Sequence, residues 1–412
     1  MKKHIAWVAC LALVAGVSAA ACSSSSTSAV GTPDGGTTVS NVSDAASGAE
    51  GSTEGGAPQP MTWTFVPVAG SKCRDGSDTG IAVNLNPASK KLMIFMEGGG
   101  ACFNSVTCGG NPSKYGQAEF DAAVMKAGPM SGFNGEGEST TNGIMSRNDD
   151  KNPVKDWNMF YIPYCTGDVH GGNNPNGMVK GVTGTQMFVG YDNVKLDLDV
   201  IKSMVPGATD VFLTGMSAGG FGVALNYDQV ATAFDPLVVN MIDDSGPPME
   251  DPYLAPCLMQ QFVTTFGFDT TVLPACGDDC KADGGVDIAH FGTNFVVHLG
   301  KKYPKAMLGL MDSVADKVIA GEFFAFGADN CTSYLPTLQG DFTNGLLDIR
   351  AKMAFDKNYG DFIFQGQDHT SIQYLLDTRT AGMGDPEAGT QPVVLVDWVT
   401  QMMAGKASNV GP

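Results

Sequence analysis

Basic side chains are scarce in this chain of 412 residues, because 24 Lys and Arg stand against 43 Asp and Glu and the formal net charge is −19. Nucleic acids select basic surfaces and anionic lipid headgroups attract Lys and Arg, so the charge balance argues against both as docking partners. Charged residues make up only 16% of the chain and hydrophobic residues 43%. This composition is typical of a globular protein and excludes wholesale disorder.

Residues 1–21 lack an apolar run long enough for a membrane span, because the run Ile5–Val17 is short and rich in Ala. Two lysines before it and small residues after it predict a signal peptide. The small residues precede Cys22 as in a bacterial lipobox, although Ala19 stands where Leu is usual. We expect Cys22 to be lipidated and to anchor the protein in the bacterial cell envelope, at the outer membrane; simple secretion is the alternative.

Residues 23–60 lack aromatic residues and lack Lys and Arg, and they consist mostly of Ser, Thr, Gly and Ala. Such a segment buries too little apolar surface to offset its chain entropy. We therefore expect residues 22–60 to be a lipidated cysteine followed by a flexible tether. Residues 61–412 are expected to form one domain, as a monomer. Removal of the leader takes away two lysines and makes the net charge still more negative.

Cysteine, in contrast, is plentiful, with ten residues. One lies in the leader and Cys22 is expected to be lipidated, which leaves an even number that favours disulfides in an exported protein. The pairing is open except for Cys102 and Cys108, which lie close enough to hold one loop. Cys276 and Cys280 form a lone pair of possible zinc ligands without a second pair. We expect no metal and no cofactor.

Short apolar runs alternate with amphipathic segments after residue 61. Several of the runs are continuously apolar, which suits parallel strands that are covered on both faces. The alternation predicts an α/β fold with a mainly parallel central sheet and helices on both faces. The region 129–155 is expected to be a surface loop and 250–300 an insertion. Strands are predicted at 63–68, 92–96, 159–162, 210–214, 237–242, 306–310 and 362–364, and helices near 117–127, 190–204, 218–233, 314–324, 341–356 and 392–403.

The pentapeptide Gly215-Met-Ser-Ala-Gly219 directly follows one predicted strand and directly precedes a predicted helix. This is the strand–turn–helix context of a G-x-S-x-G nucleophile elbow, in which flanking glycines avoid clashes in a sharp turn. Ser217 would lie at the helix N-terminus, where backbone N–H groups favour developing negative charge. Ser217 is therefore the predicted nucleophile.

Three glycines, Gly98-Gly-Gly100, end the predicted strand 92–96 and its extension to Glu97. A strand that ends in glycines upstream of the elbow is typical of an oxyanion loop, because glycines let the backbone approach a substrate carbonyl. Backbone N–H donors aimed at the tetrahedral oxygen stabilise it by about 3–4 kcal/mol each. We expect the backbone of the loop Gly98–Gly100 to supply such donors, with the N–H of Ala218, directly after Ser217, as their partner.

A serine nucleophile needs a base, and histidine is scarce here. Four histidines follow the leader: His170, His290, His298 and His369. In α/β-hydrolases the order along the chain is Ser, acid, His, which disfavours His170. His290 and His298 lie in the suspected insertion, whereas His369 follows a predicted strand by a short loop. His369 is therefore the predicted base.

The acid that orients the base should follow a strand between Ser217 and His369. Asp312 and Asp316 both follow the predicted strand 306–310, and the pattern does not decide between them. Asp368, beside the predicted base, is a weaker candidate.

Several of these motifs together resemble the pectin acetylesterase family of α/β-hydrolase serine esterases, which includes the animal Wnt deacylase Notum. The resemblance extends over nearly all of residues 61–375. Its motifs are the segments Ile94–Cys102, Trp157–His170, Leu213–Gly222 with Asn226, Ile242–Pro248, Ser313–Ile319 and Asp368–Thr370.

The resemblance implies a metal-independent ester hydrolase in which Ser217 is the nucleophile, His369 the base and Asp316, rather than Asp312, the acid. It also implies that Gly99, Gly100 and Ala218 supply the oxyanion donors and that Asp168 and His170 shape the pocket. The expected substrate is an acylated polysaccharide or glycan, with acetyl as the acyl group, or another lipid or aryl ester. The excess of acidic residues argues against a polyuronate and for a neutral glycan. A non-catalytic binding lipoprotein on the same fold is the alternative.

Overall fold

The computed structural model describes residues 58–126, 143–282, 285–355, 357–376, 379–383 and 391–412. The chain divides into a unit of residues 1–53, which lies outside the described residues, and a unit of residues 54–412. The predicted signal peptide, Cys22 and nearly all of the predicted tether therefore lie outside the described residues. So does the first part of the predicted loop 129–155, up to residue 142.

Within the described residues, nine strands form a central sheet and three short strand pairs lie outside it. All seven predicted strands belong to the central sheet. Its strands are β1 (Thr64–Lys72), β2 (Asp78–Asn84), β3 (Lys91–Met96), β4 (Asn158–Ile162), β7 (Asp210–Met216), β8 (Val239–Asp244), β11 (Leu308–Ser313), β12 (Tyr359–Phe364) and β15 (Asn409–Val410). The pairs are β5 (Asn174–Gly177) with β6 (Gln186–Phe188), β9 (Lys281–Ala282) with β10 (Gly285–Val286), and β13 (Thr380–Ala381) with β14 (Val393–Val394).

The strands of the central sheet follow the order β1-β2-β4-β3-β7-β8-β11-β12-β15. The first two pairings, β1 with β2 and β2 with β4, are antiparallel, and all later pairings are parallel. The carboxyl ends of β3, β7, β8, β11 and β12 consequently meet at one edge of the sheet. In open α/β sheets this edge is where ligands bind.

Both faces of the sheet are buried, as the continuously apolar strands predict. In β3 the side chains of Leu92, Ile94 and Met96 belong to one hydrophobic core, and those of Met93 and Phe95 belong to a second core on the other face. All five side chains are fully buried. This confirms the predicted α/β architecture with helices on both faces.

Helices α3, α4, α7 and α9 contribute to the first core, and α10 contributes Trp398 to the second. Among the described residues, no helix has the length and apolar character needed to cross a membrane. The helices are α1 (Ser105–Gly110), α2 (Gln117–Lys126), α3 (Gly190–Met204), α4 (Ala218–Ala233), α5 (Pro256–Phe266), α6 (Val272–Cys276), α7 (Phe291–Lys302), α8 (Ala328–Cys331), α9 (Gln339–Met353) and α10 (Leu395–Met403), with single 3₁₀ turns at Phe268–Thr270, Gly277–Cys280, Phe324–Gly327 and Ile372–Tyr374.

The predicted helix at 314–324 is wrong. The segment begins as an irregular turn and continues as one π-helical turn, Ile319–Phe323, and one 3₁₀ turn, Phe324–Gly327. The Asp316 side chain accepts hydrogen bonds from the backbone N–H groups of Val318 and Ile319. These are the bonds of a helix N-cap, so they favour helical turns that begin after Asp316 and oppose a helix that already runs through 314–316.

Candidate active site

Ser217 lies in a sharp turn between β7 and α4. Its backbone φ is +57°, in a region that side chains other than glycine rarely adopt. The turn passes close to β3, since a Cβ atom at Gly219 would lie 2.0 Å from the carbonyl oxygen of Met96. Strained backbone at the tip of such a turn is typical of functional sites. The strand–turn–helix context predicted from the pentapeptide is therefore present.

His369 and Asp316 form a buried pair beside this turn. The Nδ1 atom of His369 lies 2.7 Å from Oδ2 of Asp316. The other carboxylate oxygen of Asp316 accepts the N–H groups of Val318 at 2.8 Å and Ile319 at 2.9 Å. Because a carboxylate oxygen of Asp316 accepts this hydrogen bond, Nδ1 of His369 is the nitrogen that donates a proton. In the neutral imidazole the lone pair is then on Nε2, as a general base requires.

Ser217 and His369 line one cavity at the carboxyl edge of the sheet. In the described part of the chain, no hydrogen bond joins the Ser217 hydroxyl to the His369 ring. Hydrogen bonds between nucleophile and base are often long in unliganded sites and shorten when substrate binds. The structure thus brings the three predicted triad residues to one place, with the bond between acid and base already formed.

The other candidates for acid and base lie elsewhere. His290 contacts Asp287 and His298 contacts Asp279. Neither histidine lines the cavity. Asp368 is exposed, and its carboxylate lies 3.2 Å from the guanidinium of Arg379.

Asp312 is buried and contacts Asp316 rather than the imidazole. Its carboxyl lies beside that of Asp316; Oδ1 accepts the N–H of Ser313 at 2.7 Å, and Oδ2 has no hydrogen-bond partner among the described residues. Burial raises the pKa of the Asp312 carboxyl well above its usual range, and the charge of Asp316 adds to this shift. A protonated Asp312 can donate to Asp316, whereas two ionised carboxylates would repel each other. The structure therefore places Asp316, and not Asp312, against the imidazole, a choice that the sequence pattern did not make.

Gly99 and Gly100 line the cavity across from His369. Both have positive φ, +151° and +77°, and a Cβ atom at Gly100 would point into open space. Ala218 is buried, and its N–H group begins α4 directly after Ser217. The three residues predicted as oxyanion donors are consequently grouped around the nucleophile.

Two side chains that the sequence analysis missed hold the glycine loop. Asn111 donates from Nδ2 to the carbonyl of Gly99 at 2.6 Å, and the Tyr164 hydroxyl donates to the carbonyl of Gly100 at 2.8 Å. In a planar trans peptide the N–H group points opposite to the carbonyl, so these bonds fix the directions of the N–H groups of Gly100 and Ala101. Tyr164 belongs to a segment that carries the family resemblance, which was the available signal.

His170 and Asp168 lie one layer behind the cavity and do not line it. The Nε2 atom of His170 donates to the carbonyl of Glu97, which precedes the glycine loop, at 2.9 Å. Burial lowers the pKa of His170 to about 4, so the ring is neutral at pH 7. Asp168 accepts from the N–H of Gly190 at 2.7 Å. His170 therefore acts on the pocket only indirectly, through the glycine loop.

The predicted disulfide between Cys102 and Cys108 is confirmed, and it joins the glycine loop to α1. Cys276 and Cys280, the possible zinc ligands, are also joined to each other. The described residues contain no group of three or more His, Cys, Asp or Glu arranged to hold a metal ion. The two further disulfides join Cys73 with Cys165 and Cys257 with Cys331.

The cavity has a volume of about 880 Å³ and mostly apolar walls. Phe323 and Phe326 form one wall and Tyr334 lies at the rim, 52% exposed. Among the described residues that line the cavity there are two carboxylic acids, Glu97 and Glu322, and one lysine, Lys317, and burial raises the pKa of Glu97 to about 7. The cavity therefore offers apolar contact and no basic cluster.

Two curated proteins similar to this chain are palmitoleoyl-protein carboxylesterases. The chain is 32% identical to palmitoleoyl-protein carboxylesterase notum2 of Xenopus laevis over 185 residues, 42% of this chain and 34% of that protein. It is 33% identical to palmitoleoyl-protein carboxylesterase NOTUM of Mus musculus over 172 residues, 40% of this chain and 30% of that protein. The matches thus span about a third of the length of these curated relatives.

The structure of the Wnt deacylase Notum from Drosophila superposes on this chain with a TM-score of 0.56. The superposition covers 84% of this chain and 93% of that structure, at 19% sequence identity, and it supports the α/β-hydrolase-like fold. The sequence model of the family described as "Pectinacetylesterase" matches residues 56–266, about half of the chain. The chain therefore belongs to the pectinacetylesterase family.

Proposed function

We propose that this protein is a serine carboxylesterase that works through a covalent acyl-enzyme. The observation that carries the proposal is the 2.7 Å contact between His369 and Asp316 beside the strained turn of Ser217. His369 takes the proton of the Ser217 hydroxyl as the oxygen attacks the ester carbonyl, and Asp316 stabilises the imidazolium. His369 then returns the proton to the leaving alcohol, and water attacks the acyl-enzyme by the same steps in reverse order.

The oxyanion of each tetrahedral intermediate is proposed to lie against the glycine loop. Gly99, Gly100 and Ala218 are the donors expected from the family pattern. Asn111 and Tyr164 hold the loop before substrate arrives, so little reorganisation is needed when negative charge develops. No step of this mechanism requires a metal or a cofactor.

For the substrate we propose an acetylated neutral glycan. The cavity lining contains two acids and one base, so it gives a polyuronate no local attraction to offset the excess negative charge of the chain. Tyr334 and Phe326 offer aromatic faces near the entrance, and their ring centroids lie 4.9 Å apart. Such faces suit the apolar side of a sugar ring.

A second candidate substrate is an ester with a longer apolar acyl chain. The volume of about 880 Å³ is far more than an acetyl group needs, and the walls are mostly apolar. Phe323 also lines a second, smaller apolar cavity of about 40 Å³ deeper in the protein. The relatives named palmitoleoyl-protein carboxylesterases make this candidate worth testing.

We expect the protein to release acetate from acetylated xylan faster than from acetylated pectin, because among the described residues that line the cavity one lysine, Lys317, stands against two acids, Glu97 and Glu322. We also expect kcat/KM for p-nitrophenyl esters to fall from acetate to octanoate. Both are measured by acetate release and nitrophenol absorbance at equal substrate concentrations. A kcat/KM that rises toward octanoate would instead favour the longer acyl chain.

Two variants sharpen this test. Phe323→Ala joins the two cavities, so it should raise the octanoate-to-acetate ratio if a long chain lies along that wall. Phe326→Ala is the matched control, because Phe326 lines only the larger cavity. Equal ratios in the two variants would contradict an acyl site at Phe323.

We propose that the protein is exported and anchored through Cys22 to the cell envelope. This rests on the leader and the small residues before Cys22 in the sequence.

A further inference from the structure

Asp244, the last residue of β8, contacts both the turn of the nucleophile and the loop of the base. Its backbone carbonyl accepts the N–H of Ser217 at 2.7 Å. Its side chain points to the other segment, where Oδ2 accepts the N–H groups of Ser371 and Ile372, each at 2.6 Å. One residue therefore bonds to segments that lie about 150 residues apart in the sequence.

The neighbouring residue Ser245 extends the same contact. Its hydroxyl accepts the N–H of Thr370 at 3.1 Å and donates to Oδ1 of Asp244 at 3.1 Å. Thr370, which follows His369 directly, has a φ of +64°, so the backbone there is strained. Strained backbone persists only when surrounding contacts hold it, and here three consecutive N–H groups are held by Asp244 and Ser245.

The side chain of Asp244 is fully buried and does not line the cavity. Burial raises the pKa of the Asp244 carboxyl to about 6. The two N–H groups and the nearby His369 favour the ionised form and so limit this rise. At pH 7 the carboxylate is therefore mostly charged and a strong acceptor for both N–H groups. It is a buried ionisable group that the mechanism above does not use.

We propose that Asp244 is the positioning residue that holds the imidazole of His369 in register with the hydroxyl of Ser217. The inference rests on the proposed function for its kinetic consequence, although its structural consequence can be measured separately. A displacement of about 1 Å between reacting groups costs on the order of 100-fold in rate. Because Asp244 does not contact the cavity, its loss should act on kcat and leave KM nearly unchanged.

The test compares Asp244→Ala with the conservative variant Asp244→Asn. The alanine removes the acceptor for both N–H groups, and we expect kcat for p-nitrophenyl acetate to fall about 100-fold with KM within about threefold. The asparagine keeps a carbonyl acceptor of the same size, so kcat should recover to within about tenfold of the wild type. Asp197→Ala is the matched control, since Asp197 of α3 is also buried but contacts Ser71 of β1 at 3.5 Å.

Hydrogen exchange measured by mass spectrometry supplies the arm that does not depend on activity. In folded Asp244→Ala, the amides of Ser371 and Ile372 should exchange faster than in the wild type, and Asp197→Ala should leave them unchanged. Unchanged exchange in Asp244→Ala, or a kcat loss equal to that of Asp197→Ala, would overturn the proposal. An inactive wild type would instead contradict the proposed function. The exchange rates of the Ser371 and Ile372 amides would still test whether Asp244 holds that segment.

Discussion

Ser217→Ala should lower kcat for p-nitrophenyl acetate by at least about 10⁴-fold, because removal of a catalytic serine eliminates the covalent route. Only binding and the oxyanion loop then remain to accelerate attack by water. The rate is measured by nitrophenol release under saturating substrate. The substitution removes one oxygen from a half-buried side chain that does not cap α4, so the melting temperature should change little.

Ser105→Ala is a useful control for this experiment. Ser105 begins α1 near the glycine loop and is not among the residues that line the cavity. Its loss should leave turnover within about threefold, as is usual for surface substitutions away from special features. Retained turnover in Ser217→Ala would mean that the strained turn is not the site of attack.

Asp316→Asn should lower kcat on the order of 10⁴-fold, whereas Asp312→Asn should stay within about fivefold of the wild type. The amide in place of Asp316 no longer stabilises the imidazolium and favours the wrong tautomer of His369. The amide in place of Asp312 keeps an N–H donor toward Asp316, as the protonated carboxyl does. The two losses therefore differ by about three orders of magnitude.

Both variants are compared by kcat and KM on one ester, with melting temperature as the check on folding. Asp312 and Asp316 are both fully buried, so the pair is matched in burial. The reverse order of losses would assign the acid to Asp312. Equal losses would show that the two carboxyls act as one unit and share the proton.

Much of the fold could be predicted from the sequence, because the strands are short, continuously apolar runs of neighbouring residues. Leu92–Met96 is such a run, and it lies between two parallel neighbours with cores on both faces. The nucleophile elbow could be predicted equally well. The glycines around Ser217 are required because a Cβ atom there would clash with the Met96 carbonyl. These features depend on a few neighbouring residues, which a sequence displays directly.

Features that depend on contacts between residues far apart in the sequence could not be predicted from it. The spacing of Asp312 and Asp316 after one strand suits either as the acid, and only the position of His369 separates them. The predicted helix at 314–324 failed because Asp316 caps the turns that follow it, and those turns are π-helical and 3₁₀ rather than α-helical. Asn111 and Asp244 act on backbone groups far along the chain, and no local pattern marks such contacts.

The most direct test of the account is to map the covalent adduct of a fluorophosphonate ester by mass spectrometry of proteolytic peptides. We predict one phosphonylated residue, Ser217, in the wild type, with labelling strongly slowed in His369→Ala and abolished in Ser217→Ala. An adduct on another residue, or ester turnover that continues after Ser217 is fully phosphonylated, would contradict the assignment of Ser217 as the nucleophile.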